Sequence, residues 1–440
     1  MKKILLFLVI KFFTSSLGAF TITDPGFFAL GGNLIESGTV IRISTSNLTV
    51  DLGGYTVSGG VSGIVIDAGL TNVTVQNGFL DSNVQGITIG AGCSDIIVQN
   101  MSIIRCTRSG LEVNGTDASQ VMRLTVKNIT VELSTIFTST VDKTIDSIMT
   151  FSNVVELMLQ DIILQQNGDN TINLTGVRII NCSKATVENV LMLNNQGASF
   201  QGIFVENTNS SFFNKVQIRM NTAANLLVGI RFTGGILNTG NLCQNFSVLN
   251  NSSTSGPLAG FELLPFVTKN IITDCVAQNN NVSGSTVGAN CIGFNLDQPT
   301  FCALIGCQAL YNTATGNAGN TAFAAGFNIG TSAAGATTGT KNCAFYNNVA
   351  TANNAATGTA NGNANSYGMR VVSGNGGNVN NIFIGNRGIL NGPVIPVTNT
   401  NQISSGTGGL AGGNFLDRTS ATFTTVTSYT AGLVNLRITS

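Results

Sequence analysis

The sequence predicts an all-β protein, a right-handed parallel β-helix of roughly eleven rungs, and three observations support this. A four-residue motif recurs along most of the chain: glycine, a hydrophobic residue, any residue and a second hydrophobic residue. Side chains alternate between apolar and polar over short stretches, which is the period of a strand, and no segment has the pattern of an amphipathic helix. Short β runs end repeatedly in Asn or Asp, residues that suit tight corners.

The glycine motif sets the length of the repeating unit. Its copies begin at Gly63, Gly86, Gly110, Gly176, Gly202, Gly229, Gly260, Gly293, Gly326 and Gly368. The long gap between the third and fourth copies predicts a degenerate copy at Ser147-Ile148-Met149-Thr150. A unit repeated in this way is typical of a solenoid, with rungs stacked at about 4.8 Å and hydrophobic ladders inside.

The second motif is a short β run that ends in Asn or Asp. Its closing residues are Asn77, Asn100, Asn128, Asp161 and Asn189, with looser copies ending at Asn250, Asn279, Asn312, Asn347 and Asn386. Asn and Asp tolerate the left-handed backbone conformation, so we expect rung corners at these residues and at the glycines. Stacked corners would place the side-chain amides in a ladder in which each bonds the next.

The ends of the chain differ from the repeats. We expect a signal peptide over residues 1–19, an N-terminal cap over 20–46, the β-helix over 47–395, and a C-terminal cap or tail over 396–440. The first segment has a basic start, an apolar run and small residues, which is typical of secretion signals and predicts a secreted or cell-surface protein. Lys11 interrupts the apolar run and leaves an uncleaved segment as the alternative. No later stretch approaches the roughly 20 apolar residues of a membrane span.

Composition narrows the possible functions. Only 9% of residues are charged, and the 20 basic and 20 acidic side chains cancel, so the surface is an uncharged polar coat with no basic footprint for nucleic acid. The chain has no histidine, which excludes Ser-His-Asp, Cys-His and His-metal mechanisms. Catalysis would have to use carboxylates, Arg, Lys or Tyr.

Nine cysteines leave at least one thiol unpaired. Cys243, Cys275, Cys307 and Cys343 lie at similar places in their units, so we expect them to stack in neighbouring rungs as buried free thiols. Disulfides between adjacent rungs, or a bridge from Cys302 to Cys307 within one rung, are the alternatives. No CxxC motif accompanies them, and a metal site is not expected.

One region carries a resemblance to a known family. The segment Leu48-Thr49-Val50-Asp51-Leu52-Gly53-Gly54-Tyr55-Thr56-Val57, followed by Gly63-Ile64-Val65-Ile66, resembles the right-handed β-helix repeats of the pectin-lyase-like superfamily, and the likeness extends over roughly residues 40–395. The resemblance implies the fold. It implies no activity, because that superfamily includes lyases, polygalacturonases, tailspikes and adhesins, and the motifs of its hydrolases and lyases are missing from this chain.

The third residue of each glycine motif is expected to face outward, and together these residues are expected to form a column on the surface. Its predicted members are Val65, Thr88, Glu112, Met149, Arg178, Phe204, Arg231, Glu262, Asn295, Asn328 and Arg370. The candidate ligand contacts are Arg178, Phe204, Arg231 and Glu262, with Phe204 stacking on a sugar ring and Arg231 binding a carboxylate. The simpler interpretation, which the sequence favours, is that Arg231 and Glu262 form an exposed ion pair between rungs.

The acidic residues near the N-terminus raise the question of a cation. Asp51, Asp67 and Asp81 are concentrated there, but their spacing matches no calcium loop and favours structural corner residues. We therefore predict no metal and no cofactor.

Two functions remain open. The sequence favours an exported, non-catalytic rod, adhesin-like or structural, that binds a glycan or a cell-surface partner, alone or as an oligomer. The alternative is a lyase-like enzyme that acts on acidic glycans with an Arg base, which requires acids such as Glu112, Glu262 and Asp297 to converge with an arginine.

Overall fold

The computed structural model describes residues 8–10, 20–132, 146–234, 238–265, 267–285, 289–317, 320–330, 340–357, 364–371, 381–384, 386–389, 399–405, 415–418 and 435–438. The chain forms two compact units, residues 1–196 and 197–440. The described residues contain strands and turns, and none of them forms a helix that could cross a membrane. Most of the predicted signal peptide lies outside the described residues.

The first unit contains two parallel sheets, here called sheet A and sheet B. Sheet A is built from Leu8–Ile10, Gly26–Leu30, Leu34–Ile35, Leu48–Asp51, Thr56–Ser58, Thr71–Asp81, Ser94–Ile104, Val121–Glu132, Val154–Gln165 and Thr186–Leu193. Sheet B is built from Phe20–Ile22, Thr39–Ile43, Ser62–Ile66, Gln85–Ile89, Ser109–Asn114, Asp146–Ser152 and Asn173–Ile180.

The second unit repeats the arrangement, and its sheets are named in the same way. Sheet A consists of Phe212–Arg219, Leu242–Gln244, Ser247–Leu249, Ile271–Thr273, Val276–Gln278, Ala303–Ile305, Gln308–Leu310, Ala344–Tyr346, Val349–Thr351, Ile382–Ile384, Arg387–Ile389, Phe415–Arg418 and Asn435–Ile438. Sheet B consists of Gln196–Glu206, Thr222–Thr233, Ser252–Ser253, Leu258–Leu263, Asn281–Ser285, Ala289–Leu296, Thr313–Gly316, Ala322–Ile329, Asn354–Thr357, Ala364–Val371 and Asn399–Ser405.

The pairing register confirms the parallel β-helix. In sheet A of the first unit, Val75 pairs with Val98, and Val98 pairs with Val126, so each pass of the chain lies directly on the previous one. The chain alternates between the two sheets, so each rung takes one or two strands from each sheet. The number of rungs and the domain boundaries stay predictions. Residues on both sides of those boundaries form strands, such as Thr39–Ile43, which pairs with Ser62–Ile66, and Asn399–Ser405, which pairs with Ala364–Val371.

The predicted corner residues adopt the left-handed conformation in most copies. The value of φ lies between 52° and 61° at Asn77, Asn100, Asn128, Asp161, Asn189, Asn250, Asn279 and Asn347. Asn312 is an exception, because the left-handed residue there is Tyr311, with φ 54°, and Asn312 itself points into the interior. Asn386 is likewise buried. On the surface of the first unit the amides stack as expected, with Asn100 donating to Asn77 at 3.0 Å and Asn128 to Asn100 at 2.8 Å.

The repeated glycines have a different role from the one the sequence predicts. They lie inside strands of sheet B, as Gly63 does in Ser62–Ile66, and their backbone is not left-handed. A Cβ atom at Gly63 would lie 2.8 Å from the carbonyl oxygen of Gly86, and one at Gly260 would lie 2.6 Å from that of Gly293. Glycine therefore recurs because the backbones of neighbouring rungs approach too closely for a side chain.

The interior is a set of hydrophobic ladders. In the first unit, Ile66, Ile89, Val113, Phe151 and Ile179 pair in succession and are all fully buried. In the second unit three phenylalanines stack face to face, with ring centroids 4.5 Å apart for Phe261 and Phe294 and 4.8 Å apart for Phe294 and Phe327. Such stacks add to the burial of apolar area and hold successive rungs in register.

A second ladder, made of asparagines, is buried in the second unit. Asn221, Asn251, Asn280, Asn312 and Asn353 each follow a left-handed corner residue and are fully buried. The amides of Asn251, Asn280 and Asn312 each donate to a carbonyl of the preceding rung, as Asn280 does to Val248 at 3.0 Å, and each bonds the asparagine of the next rung. The ladder satisfies polar groups that the corner would otherwise leave unpaired in the interior.

Candidate functional site

The outward-facing column of sheet B has a defined register in the first unit. Arg42, Val65, Thr88, Glu112, Thr150 and Arg178 pair in that order. The prediction of Met149 in this column is wrong by one residue. Ile148 occupies the position that glycine has in other copies, so Met149 pairs with Leu111 inside the core and Thr150 faces outward.

The second unit has an outward-facing column of its own on sheet B. In it, Arg231, Glu262, Asn295, Asn328 and Arg370 pair in succession. Phe204 and Arg231 each stand two residues after a glycine, and a Cβ at Gly202 would lie 2.5 Å from the oxygen of Gly229. Of the four predicted ligand contacts, the structure thus places Phe204, Arg231 and Glu262 in the second unit, whereas Arg178 belongs to the first.

Arg231 and Glu262 form an ion pair that is largely buried. The Nε atom of Arg231 lies 2.5 Å from Oε2 of Glu262, and the two side chains are only 18% and 13% exposed. The expected ion pair is therefore confirmed, but its expected exposure is wrong. The other ion pairs of the described residues are far more open, with Lys184 64% exposed in its contact with Glu156. A buried pair holds its geometry more firmly than an exposed one.

The pair begins a chain of polar contacts that crosses five rungs. Asn295 donates to Oε1 of Glu262 at 3.2 Å, and Asn328 donates to Oδ1 of Asn295 at 2.9 Å. Arg370 donates to Oδ1 of Asn328 at 3.4 Å. Both oxygens of Glu262 are thereby occupied by protein groups, and the amides of Asn295 and Asn328 are oriented.

A pocket of about 460 Å³ opens beside this chain on the same face. Its polar lining comes from Asn290, Asn295, Asp297, Asn328 and Arg370, and Phe323 supplies an aromatic surface. Three elements build it, because Asn290, Asn295 and Asp297 belong to or follow one strand, Phe323 and Asn328 to the next, and Arg370 to a third. The volume falls within the range of small-molecule sites, which is about 300–1,000 Å³.

Arg370 lies against two aromatic rings at the edge of this pocket. Its guanidinium carbon is 4.9 Å from the centroid of Phe323 and 5.6 Å from that of Tyr367, and the two rings are themselves 5.6 Å apart. Burial lowers the pKa of Arg370 from its ordinary value, because the charged form loses solvation. The rings stabilise the cation through their faces and hold the guanidinium in place.

Phe323 is a functional candidate that sequence reasoning missed, whereas Asp297 entered that reasoning only as an acid of the lyase alternative. The column was drawn only through the residue two places after each glycine, whereas Asn290 and Phe323 stand three places before Gly293 and Gly326. These two residues pair across neighbouring rungs, which makes a second outward column. Extending the alternation to the other side of the glycine would have found it.

The acidic residues of the first unit are structural, as the sequence favours. Burial opposes ionisation of Asp67, but hydrogen bonds from Arg42 and Ser44 outweigh it and lower the pKa of this carboxyl. The guanidinium of Arg105 likewise lowers the pKa of Asp81. Asp51 accepts hydrogen bonds from the Gly53 amide at 2.8 Å and from two side chains of the next rung. Within the described residues no group of three or more acids or thiols converges on a common point.

All nine cysteines are free and buried. Their stacking differs from the expected set. Cys243 pairs with Ile272 in a strand, while the backbone amide of Cys302 contacts the sulfur of Cys343 at 3.3 Å, which places those two residues at the same corner of neighbouring rungs. Cys275 and Cys307 precede Val276 and Gln308, which pair, so they too are neighbours. The bridge from Cys302 to Cys307 is not formed.

Comparison with known proteins gives structural neighbours only. No protein-family model matches the chain, and no characterised protein matches it in sequence. Among solved structures, the chain is similar to an endo-xylogalacturonan hydrolase from Aspergillus tubingensis, with 9% identity over 67% of this chain and 87% of that one and a TM-score of 0.27. It is similar to a tailspike protein of E. coli bacteriophage HK620 solved with a hexasaccharide, with 12% identity over 91% and 64% and a TM-score of 0.32.

A third neighbour is a surface adhesin of Streptococcus pneumoniae, with 10% identity over 87% of this chain and 88% of that one and a TM-score of 0.23. At such scores the assignment of the fold rests on this chain's own strand pairing, and the class of protein that the pairing defines is the parallel β-helix.

Proposed function

We propose that this protein is an exported, non-catalytic β-helix that binds an oligosaccharide on the outer face of sheet B in its second unit. The pocket beside Arg370 carries the proposal. It presents an aromatic ring, Phe323, next to the oriented amides of Asn295 and Asn328 and the carboxylate of Asp297. Sugar rings offer an apolar face and a rim of hydroxyls, which are groups that an aromatic surface and amides bind well.

The composition of the chain supports a ligand of this kind. The coat of the β-helix is polar and nearly uncharged, so neither nucleic acid nor a highly charged protein has an electrostatic complement on it. A continuous column of polar groups along the rungs suits an extended chain with repeated hydroxyls. A glycan of the cell surface fits both the column and the predicted export.

Binding is favoured over catalysis because of how Glu262 is held. Arg231 occupies one carboxylate oxygen and Asn295 the other, so Glu262 has no oxygen left free of a protein partner. A general acid or base must reach the substrate with such an atom. The contacts of Glu262 therefore give it a positioning role for Asn295.

Polysaccharide cleavage is the second candidate, and one observation favours it. Asp297 follows Asn295, the residue that pairs with Glu262, so the two acids lie on one face in neighbouring rungs, with Cα atoms about 8 Å apart by the usual strand spacings. Glu262 contacts Arg231, and Asp297 lines the same pocket as Arg370. An inverting glycosidase uses two acids whose carboxyl groups lie about 6.5–9.5 Å apart.

The test is retention of the purified chain on a glycan array and on uronate polymers, with and without calcium. We expect retention without product, and we expect Phe323→Ala to weaken it at least about tenfold, as loss of a stacking contact does in other sites. Phe79→Ala is the matched control, because Phe79 is an exposed phenylalanine outside the pocket. Retention that is unchanged in Phe323→Ala would contradict the assigned site.

The same samples decide between binding and cleavage. New reducing ends, or the ultraviolet absorbance of unsaturated products, would establish cleavage, and Asp297→Asn should then abolish it. Intact glycan recovered after long incubation would support the non-catalytic function. Absence of retention on every glycan would overturn the proposal. Binding to a protein partner or a purely structural function would then remain.

A further inference from the structure

The charge balance of Arg370 differs from that of the other partly buried arginine in its column. Arg231 is neutralised by Glu262, and exposed cations such as Arg105 and Lys184 also contact a carboxylate of a neighbouring rung. Among the described residues no acid lies within ion-pair distance of Arg370. The only hydrogen bond of its side chain to the described residues is the one of 3.4 Å to Asn328.

This arrangement leaves most of the guanidinium donors without a partner among the described residues. Arg carries five N–H donors in a planar fork, and its guanidinium carbon lies 4.9 Å from the centroid of the Phe323 ring and 5.6 Å from that of Tyr367, contacts that are not conventional hydrogen bonds. Burial also destabilises the charged form and lowers the pKa of Arg370. An oxyanion in the pocket would offset that desolvation and accept two donors at once.

The pocket itself limits what the anion can be attached to. Asp297 lines it together with Arg370, so a ligand that carries negative charge on every side would be repelled. Phe323, Asn295 and Asn328 present apolar and amide surface for a ring and its hydroxyls. The pocket therefore suits a ligand with one planar carboxylate and several neutral hydroxyls.

We propose that this pocket is a subsite for an acidic sugar whose carboxylate pairs with the guanidinium of Arg370, while Asp297 accepts hydrogen bonds from hydroxyls of the ring. The inference rests on the proposed glycan binding and adds the class of sugar and the residue that selects it. Arg231, although it stands in the same column, does not share this role, because Glu262 already satisfies it.

A matched pair of ligands isolates the carboxylate. Calorimetry with a galacturonate oligomer and with its methyl ester compares the same rings with and without the charge. We expect the acid to bind at least about tenfold more tightly, the difference that a charge-assisted hydrogen bond of about 1.5 kcal/mol gives. Arg370→Gln should bring the ratio of the two affinities close to one, and Arg370→Lys should retain part of the preference.

Two controls keep the outcome specific. Arg108→Gln removes an exposed arginine of the first unit, and it should change neither affinity. Thermal unfolding of each variant checks that it is folded. A sulfated oligomer tests whether the site takes a tetrahedral oxyanion in place of a carboxylate.

The outcomes separate this inference from the proposed function. Equal binding of acid and ester by the unaltered chain, or an acid preference that survives in Arg370→Gln, would overturn the acidic subsite while glycan binding stands. Preference for the sulfated oligomer over the galacturonate would overturn the carboxylate assignment. If neither acid, ester nor any other glycan binds, the proposed function fails together with the subsite.

Discussion

Asn280 and Asn312 bond each other twice across neighbouring rungs in the interior of the second unit. Oδ1 of Asn312 accepts the backbone amide of Asn280 at 3.2 Å and its side-chain amide at 2.9 Å. Oδ1 of Asn280 accepts in the same way from Asn251. Both residues are fully buried, so water cannot replace any bond that is lost.

We therefore expect Asn280→Ala to lower the free energy of unfolding by about 2–4 kcal/mol, because several buried groups lose their partners at once. Urea unfolding monitored by circular dichroism measures the change. Asn279→Gly is the matched control, since Asn279 is the adjacent exposed corner with φ 53° and glycine accepts that conformation. It should cost no more than about 1 kcal/mol, and equal losses in the two variants would contradict a special role for the buried ladder.

The glycine column gives a second prediction. A Cβ at Gly260 would lie 2.6 Å from the Gly293 oxygen and 2.8 Å from Cβ of Ala277, neither of which can move without shifting a rung. Gly260→Ala should cost about 1–3 kcal/mol of stability, the usual cost of overpacking. Gly38→Ala serves as the control, because no atom lies within 4 Å of its Cβ position. A Gly260→Ala chain with unaltered thermal stability would show that the rungs separate easily.

The sequence could predict the fold because its periodicities report directly on rung geometry. The glycine at 260 and the alternation after it mark a strand that must lie close to its neighbours, and the corner at Asn279 needs a residue that tolerates left-handed backbone. What could not be predicted is which residue of a pair such as Asn279 and Asn280 turns inward. That depends on where the corner falls, and composition does not determine it.

The candidate site was predictable only in part for the same reason. Arg231 and Glu262 stand at equivalent places in consecutive copies, so their contact follows from the repeat. The burial of that pair does not follow from it, since burial depends on the chain around the column. Phe323 lies before its glycine, where the motif specifies no residue type. Its proximity to Arg370 could be recognised only from the pairing register of the strands.

The ion pairs between rungs of the first unit predict a dependence of stability on pH. Arg105 lowers the pKa of Asp81 in the folded chain, so folding is favoured by the ionised form. The contribution is present above the unfolded pKa of about 3.9 and is lost as pH falls through the lower folded pKa. Asp81→Asn should destabilise the protein at neutral pH and have less effect in acid.

A double-mutant cycle with Arg105→Gln checks the cause. If the pair is responsible, the double variant will be no less stable than Asp81→Asn, and its melting temperature will vary less with pH than that of the unaltered chain. Full additivity of the two changes at neutral pH would contradict the assignment.

Burial should make the ion pair of the second unit matter more than an exposed one. Glu262→Gln leaves the guanidinium of Arg231 largely buried without its counter-charge, and we expect a loss of about 2 kcal/mol in the free energy of unfolding. Glu156→Gln breaks the exposed contact with Lys184 and should change stability by no more than about 0.5 kcal/mol. Chemical denaturation of both variants, side by side, measures the difference. Similarly small losses of stability in the two variants would mean that the Arg231 guanidinium becomes solvated once Glu262 is replaced by neutral Gln.

The last prediction concerns the thiols, which should be inert in the folded protein. All nine are buried, which shields them from reagents, and burial also raises the pKa of Cys106 to about 12 and that of Cys182 to about 11, so these two form almost no thiolate at neutral pH. A thiol reagent at pH 8 should label none of them within minutes, and denaturant should release all nine. Seven labelled sites after unfolding without reductant would reveal a disulfide, and Cys302→Ser would then test the corner where Cys302 and Cys343 stack.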